Sequence, residues 1–377
     1  MLGGNVRIAL VCDFLLKHGG AQVTLETIME MFPDAPIYCL LYDERGTKGR
    51  FKNRTIITSS LQKYPTSIRK RNKLLLGKYQ RAIEEFDFSK YDVVISSSDS
   101  YSHGVITQPK TFHLCYCHTP MRYVWDWHEK YLEENGIGFG PKGIYVRKII
   151  SDIRVWDRLA AYRVDNWIAN SENVKERIKK FYRADSTVIH PPIDINKFEI
   201  SQNPKLDYFL IVSRLEPYKN ISLAVDAFKS LPNEKLVIIG EGSDRVKLER
   251  SAPKNVRFLG WQSEEKLKEY YANAKALIFP GEEDFGLTPV ESLASGRPVI
   301  AYKKGGVLES VTEGETGLFF NEPTPESLVE SINKFNPSNF DPSTCYKAAE
   351  KFSKEAFKQK FLSHLEKACE EYKKGMK

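Results

Sequence analysis

Two glutamates, Glu283 and Glu291, stand with seven residues between them in the run EDFGLTPVE. Ionised carboxylates accept hydrogen bonds and repel phosphate, so this pair suits the hydroxyls of a sugar ring or a ribose. Thr288-Pro289-Val290-Glu291 reads as a helix start: a hydroxyl cap, a proline at the first helical position and a glutamate placed to reach back to the cap. The unpaired N–H groups of such a start favour a phosphate or sugar oxygen. Hydroxyls and phosphate together describe a nucleotide sugar. The competing reading makes Glu291 a capping-box residue and Glu283 a solvated loop charge.

Other residues could serve the same ligand. Arg214 and Lys219 in RLEPYKN precede a helix expected near Asn220, where a guanidinium, an ammonium and free amides could neutralise a diphosphate. Gly19 and Gly20 in HGGAQ, residues 18–22, follow a first strand and let backbone approach a phosphate, or simply form a tight turn; the fuller GxGxxG fingerprint is missing. His118 ends a strand in CHTPMRYVWDW, where imidazole can bond a sugar hydroxyl or serve as a structural histidine. Tyr123, Trp125 and Trp127 offer an acceptor platform or core packing. His113, Cys115 and Cys117 alternate on one strand face as three soft ligands would, but no second ligand cluster accompanies them, and buried strands alternate the same way. No metal is therefore expected.

These residues need rigid positions, and the pattern around them supplies strands alternating with helices. Ala276 to Phe279 is a short apolar run stopped by Pro280-Gly281, and Val299-Ile300-Ala301 resumes after Gly296 and Pro298, which makes a βαβ crossover. Further strands are expected at Val6 to Val11, Ile37 to Leu41, Thr55 to Ile57, Val93 to Ser96, Phe112 to Cys117, Val188-Ile189, Tyr208 to Ser213, Leu236 to Ile239 and Val256 to Leu259. The whole reads as α/β with two doubly wound, Rossmann-like domains. Prolines and polar residues between His190 and Leu206 mark a connection, which gives residues 1–190, a linker 191–206, residues 207–350, and a closing segment 351–377 whose helix packs back on the first domain.

The segment EDFGLTPVESLASGRPVIA resembles the signature of the retaining GT-B glycosyltransferases of family 4, glycosyltransferase group 1. The resemblance spans nearly the whole chain. It implies two Rossmann-like domains facing across a cleft, Glu283 on the donor-sugar hydroxyls, Glu291 on the ribose, backbone amides of Phe285, Gly286 and Leu287 toward the donor, and Arg214 and Lys219 on the diphosphate. The family's glycine pair falls on Gly19 and Gly20, its base-side segment on Arg257 to Leu259 around Phe258, and a further donor-side position on Gly305-Gly306 and Glu309. Asp284 departs from the glycine that many members carry. HTPMRYVWD together with EDFG resembles the mannosyltransferase-like subset, where the histidine contacts the sugar's sixth-carbon oxygen. GDP-mannose is thus the favoured donor and a UDP-sugar the alternative, with a glycan or lipid-linked acceptor and no separate cofactor. A noncatalytic sugar-nucleotide-binding subunit and a sugar-nucleotide epimerase are the competing functions.

Composition sets outer bounds. The 377 residues suffice for two cores, and a net charge of +7 is mild. Six cysteines without paired CxxC spacing are expected to be reduced core residues. No apolar run approaches the roughly 18 residues of a membrane span, and the start lacks a cleavable signal pattern, so a cytoplasmic protein is expected. Basic residues cluster: Lys63 to Arg81 holds seven, no acidic ones, and interleaved leucines. This reads as a basic amphipathic stretch for an anionic membrane surface or an acceptor diphosphate, with a solvated helix as the alternative; no nucleic-acid motif is present. The glycine-rich loop Gly136 to Gly143 reads as a lid or acceptor loop.

Overall fold

A computed structural model describes residues 6–17, 19–69 and 72–375. The chain divides into two compact units: Met1–His190 with Phe357–Lys377, and Pro191–Ala356.

In the first unit, β1 (Ile8–Leu15), β2 (Ile37–Tyr42), β3 (Ile56–Thr58), β4 (Val93–Ser98), β5 (Phe112–Cys117), β6 (Asn166–Ala169) and β7 (Thr187–Val188) form one parallel sheet, ordered β3-β2-β1-β4-β5-β6-β7. Alternate residues feed opposite cores: Leu10 and Cys12 face one cluster, Ala9 and Val11 the other. Burial on both faces explains why these strands read as unbroken apolar runs. The strand β1 continues four residues past Val11. Asp13 looks like a terminator in sequence, yet its carboxylate accepts backbone N–H groups from Asp99, Ser100, Tyr101 and Ser102, so a charge sits in the sheet with its oxygens satisfied. The last helix, Lys354–Gly375, places Phe357, Phe361, Leu365, Ala368 and Cys369 in the core under this sheet, at the four- and three-residue spacing of one helical face. Lys358 pairs with Glu30 at 2.7 Å and His364 with Asn166 at 2.7 Å.

In the second unit, β8 (Phe209–Val212), β9 (Leu236–Ile239), β10 (Val256–Gly260), β11 (Leu277–Phe279), β12 (Val299–Tyr302) and β13 (Gly317–Phe320) form a parallel sheet ordered β10-β9-β8-β11-β12-β13. The edge strand β13 carried no clear signal, being four residues long and opening on glycine. Residues 191–206 pack on this unit: Ile193 and Ile195 are buried, and Ile193 exchanges backbone hydrogen bonds with Phe352 and Lys354.

The helix after β11 corrects the sequence reading. It spans Leu287–Ala294 and is capped by Gly286, not Thr288. Gly286 has φ 85°, and a Cβ there would meet the Phe279 ring at 2.7 Å, so the chain turns where only glycine fits and the helix begins two residues early. Pro289 then occupies the third helical position, where its missing N–H is still harmless. Glu291 is the fifth helical residue and forms no capping box.

The basic run is also reorganised. It breaks into short helical pieces, Ser60–Lys63, Thr66–Arg69, Asn72–Lys78 and Tyr79–Glu84. Leu75 and Tyr79 are buried, and Ile68 and Leu76 pack against the same core. Ile68, Leu75, Leu76 and Tyr79 therefore serve the fold; Lys70 and Arg71 and the side chains of residues 72–74 lie outside what the structure describes.

Candidate functional site

Both sheets reverse strand order next to their first strand, between β1 and β4 and between β8 and β11. In open parallel sheets a ligand crevice forms at the carboxyl ends of the strands flanking such a reversal. Each unit has its own reversal.

At the reversal of the second sheet, the loop after β8 carries Arg214 and Lys219, and the loop after β11 carries Glu283. Lys219 Nζ lies 2.5 Å from Glu283 Oε2, with both side chains largely shielded from solvent. The Arg214 guanidinium donates to the Tyr218 hydroxyl, while Tyr218 lies under both cations, 5.8 Å from Arg214 and 5.1 Å from Lys219. Gly305 and Gly306 close the third side: Gly306 N–H donates to the Glu283 carbonyl at 2.9 Å, and a Cβ on Gly306 would sit 2.2 Å from the Asp284 carbonyl oxygen. The helix Pro217–Lys219 is a single 3-10 turn, and Ile221–Ala227 begins after Asn220, a residue in the left-handed region at φ 56°. Thus the two cations sit on the loop ahead of the helix expected near Asn220.

Glu291 turns away from the helix start. Tyr271, buried in the helix Glu264–Asn273, donates its phenol to Glu291 Oε2 at 2.7 Å. Burial raises the Glu291 carboxyl above its ordinary range, and the tyrosine hydrogen bond partly offsets that rise. Tyr271 carries no recognisable motif and was missed; only its alternation with other apolar residues on that helix marks it as inward-facing. The Phe285 ring packs edge-on against Phe352 at 5.3 Å, so its side chain belongs to the core while its backbone lines the loop. Leu287 packs partly against the same core, and Phe258 against the opposite face of the sheet on β10. Neither ring nor leucine side chain enters the Lys219–Glu283 pair.

The first unit places different chemistry at its reversal. A small crevice is lined by Cys12, Asp13, Phe14, Ala21, Gln22, Leu25, Ser97 and Asp99. Gly19 precedes the helix Gly20–Met31 in an extended conformation that any residue adopts, so a glycine there is a matter of room and not of backbone geometry. His18 lies outside the described residues. His118 is buried at the end of β5; its Nε2 meets Ser97 Oγ at 2.8 Å, and its backbone is held by the Ser98 carbonyl and the Asn170 amide. Asp13, Ser97 and His118 thus form one chain of support: the Asp13 carboxylate fixes residues 99–102, whose Ser102 hydroxyl donates to the Ser97 carbonyl at 3.0 Å. The sequence signal for Asp13 was a lone acid at a strand's carboxyl end.

The segment following His118 is clamped by Arg177, which donates to Thr119 Oγ1 at 2.6 Å, the Pro120 carbonyl at 3.2 Å and Asp126 at 2.8 Å. Trp125 stacks on Phe181 and donates to buried Asp157 at 2.7 Å, and the Tyr123 hydroxyl meets that of Tyr101 at 2.7 Å, so both are packing residues. Trp127 instead sits under Arg122 and Lys130, 4.2 and 4.6 Å away. His113 Nε2 pairs with Ser96 Oγ at 2.9 Å, and burial pushes its pKa down to about 3. All six cysteines are buried, and none forms a disulfide. The last residues of the loop 136–143 are helical: Pro141, Lys142 and Gly143 open the helix Pro141–Ala160, capped by Gly140.

Two Rossmann-like parallel sheets, each with its own strand reversal, make up the GT-B architecture. Sequence comparison agrees. The family model Glycosyltransferase Family 4 matches residues 18–197 and Glycosyl transferases group 1 matches residues 192–359, and the chain belongs to these family 4, group 1 glycosyltransferases. It is similar to alpha-1,3/1,6-mannosyltransferase ALG2 of Dictyostelium discoideum, with 27% identity over 66% of this chain and 68% of that protein. The human protein of the same name is 28% identical over 51% of this chain and 55% of its own length. Among solved structures, Anabaena HepE in complex with UDP and glucose superposes with a TM-score of 0.69, 18% identity, and coverage of 96% of this chain and 99% of that one. No helix among the described residues is long and apolar enough to cross a membrane.

Proposed function

We propose that this glycosyltransferase moves a hexose from a nucleotide sugar to a glycan or lipid-linked acceptor, with retention at the anomeric carbon and without a metal. The observation that carries this reading is the Lys219–Glu283 pair at the reversal of the second sheet, with Arg214 on the same loop as Lys219. A diphosphate draws on the two cations, and Glu283, released from Lys219, accepts from sugar hydroxyls. Glu291, steadied by Tyr271, offers its second oxygen to the ribose. His118, oriented by Ser97, bonds the sugar. Backbone amides of Phe285, Gly286 and Leu287, the glycines Gly19 and Gly20, and the neighbourhood of Phe258 complete the donor site in this reading.

In the transfer step the bond from the anomeric carbon to the diphosphate oxygen breaks, and a bond to the acceptor oxygen forms on the same face. The acceptor's proton passes to the leaving diphosphate oxygen, so no protein base is needed. Two opposed carboxylates about 5 Å apart would serve a glycosidase-like scheme, whereas here Glu291 is engaged by Tyr271 and Glu283 by Lys219. Arg214 and Lys219 take the charge-neutralising part that a divalent ion plays elsewhere. The sequence contains no Asp-x-Asp, the metal-binding pattern of the other major transferase fold.

GDP-mannose is the favoured donor, from the resemblance of HTPMRYVWD and EDFG to mannosyltransferases and the similarity to ALG2; a UDP-hexose is the alternative, HepE having UDP bound. A donor screen with a lipid-linked glycan acceptor decides. Acceptor-dependent release of GDP, unaffected by EDTA, supports the proposal; binding without turnover makes the chain a noncatalytic subunit, and acceptor-independent isomerisation makes it an epimerase. Proton NMR of a fresh product made from an α-linked donor is expected to show an α-linkage, and a β-linkage would contradict retention.

A further inference from the structure

Exposed large hydrophobic residues are concentrated on one element. Phe139, Ile144, Tyr145, Val155, Leu159 and Tyr162 all lie on the helix Pro141–Ala160 or within two residues of its ends. Phe139 is 81% exposed, Tyr162 71% and Tyr145 65%. Ile144, Tyr145, Val155 and Leu159 fall on one side of this 20-residue helix, in a group at each end with the Lys148–Asp152 pair on the same side between them, and Phe139 and Tyr162 extend the two groups. The opposite face, with Ile150, Ile153, Asp157 and Ala160, is buried in the first unit. A soluble surface has no reason to gather its apolar groups in this way.

The charges beside these groups identify what covers them. Residues 139–163 contain six lysines and arginines against two acids, and one of the acids, Asp157, is buried beneath Trp125 and Tyr182. The other, Asp152, is paired with Lys148 at 3.0 Å. Aromatic rings sit with cations at both ends: Arg147 lies 4.4 Å from the Phe139 ring and Arg158 4.5 Å from the Tyr162 ring. Rings that bury an apolar body while a cation keeps to water suit the boundary between acyl chains and headgroups. The basic run packs alongside, since a Cβ on Gly77 would touch the Ile149 side chain at 3.9 Å, and Lys78 and Arg81 are exposed there.

We propose that the helix Pro141–Ala160 is a membrane-docking face, which lays its two apolar groups into an anionic lipid surface while the exposed Lys142 and Lys148 on the helix and Lys78 and Arg81 on the neighbouring run hold the headgroups. This moves the apolar part of the attachment away from Lys63 to Arg81, whose Ile68, Leu75, Leu76 and Tyr79 side chains are committed to the core. It does not depend on the sugar-transfer reading, because the assay reads no turnover. Full-length protein is sedimented with vesicles of phosphatidylcholine containing a third phosphatidylglycerol. Binding is expected at low ionic strength, weakened by salt, and at least tenfold weaker for Tyr145→Ser/Leu159→Ser, whose exposed positions leave the fold intact by circular dichroism. Lys142→Glu/Lys148→Glu is expected to lose the preference for anionic over neutral vesicles. Absence of binding, or binding undiminished in the serine variant, overturns the proposal. So does a lipid-free dimer in sedimentation velocity that the serine variant abolishes, which would make this face a contact between copies of this chain.

Discussion

The two sheets share a strand order around their reversals but equip them oppositely. The second sets a cation and a carboxylate 2.5 Å apart on two loops, both largely shielded from solvent; the first buries one carboxylate, Asp13, under backbone N–H groups and presents a serine-oriented imidazole. An ion pair between two loop side chains can be exchanged for the charges and hydroxyls of a ligand that offers both. A buried carboxylate with several N–H donors is a fixture of the fold. One topology thus supplies two reversals with different electrostatics, and in the proposed reading the pair of loop charges at the second is the one that a diphosphate exchanges with.

Substitutions separate the two. Glu283→Gln keeps the shape of the sugar contact but removes its charge, and kcat is expected to fall about 10²-fold or more with donor affinity nearly unchanged; undiminished turnover removes Glu283 from its role. Glu291→Ala, in contrast, is expected to raise the donor KM by about 10- to 100-fold with a smaller change in kcat, consistent with a ribose contact made equally in the ground and transition states. Tyr271→Phe should reproduce the same KM effect more weakly, by about fivefold, from the loss of one hydrogen bond to a charged group. In the first unit, Ser97→Ala is expected to lower kcat by only about three- to tenfold through a less well oriented His118, with Ser97→Thr restoring it. If Ser97→Thr fails while the melting temperature holds, the hydroxyl is structural only.

The raised Glu291 carboxyl adds a pH test of the same contrast. Its folded-state pKa lies above the unfolded one, so the stability it contributes is complete below the ordinary carboxylate range and is lost as pH rises through the raised value. Donor affinity runs the other way, because the ionised form accepts the ribose hydroxyls, so binding should strengthen as pH rises across the weakly acidic range. Calorimetry across that range should show this slope in the wild type and a flat response in Glu291→Gln.

Strand and helix order was legible because buried parallel strands are short apolar runs, and the residues of the second reversal were legible because loop cations and carboxylates stand out there. What stayed hidden has physical causes. Asp13 interrupts an apolar run that in space continues, because its partners come from a loop more than 80 positions away. Tyr271 acts through a single phenol on an otherwise ordinary helix. The helix start at Gly286 was masked by a better local cap at Thr288, and tertiary crowding by Phe279 decided between them. The basic run looked amphipathic because sequence alone does not tell a leucine facing lipid from one facing the sheet beneath it.

Isothermal titration of GDP and UDP into the wild type and into Arg214→Ala/Lys219→Ala tests the central claim most directly. With the diphosphate held at the second sheet's reversal, the variant should bind the preferred nucleotide more than about 100-fold more weakly, as the loss of two charge-assisted contacts requires, while circular dichroism reports an unchanged fold. Equal affinity in the two proteins would contradict the account.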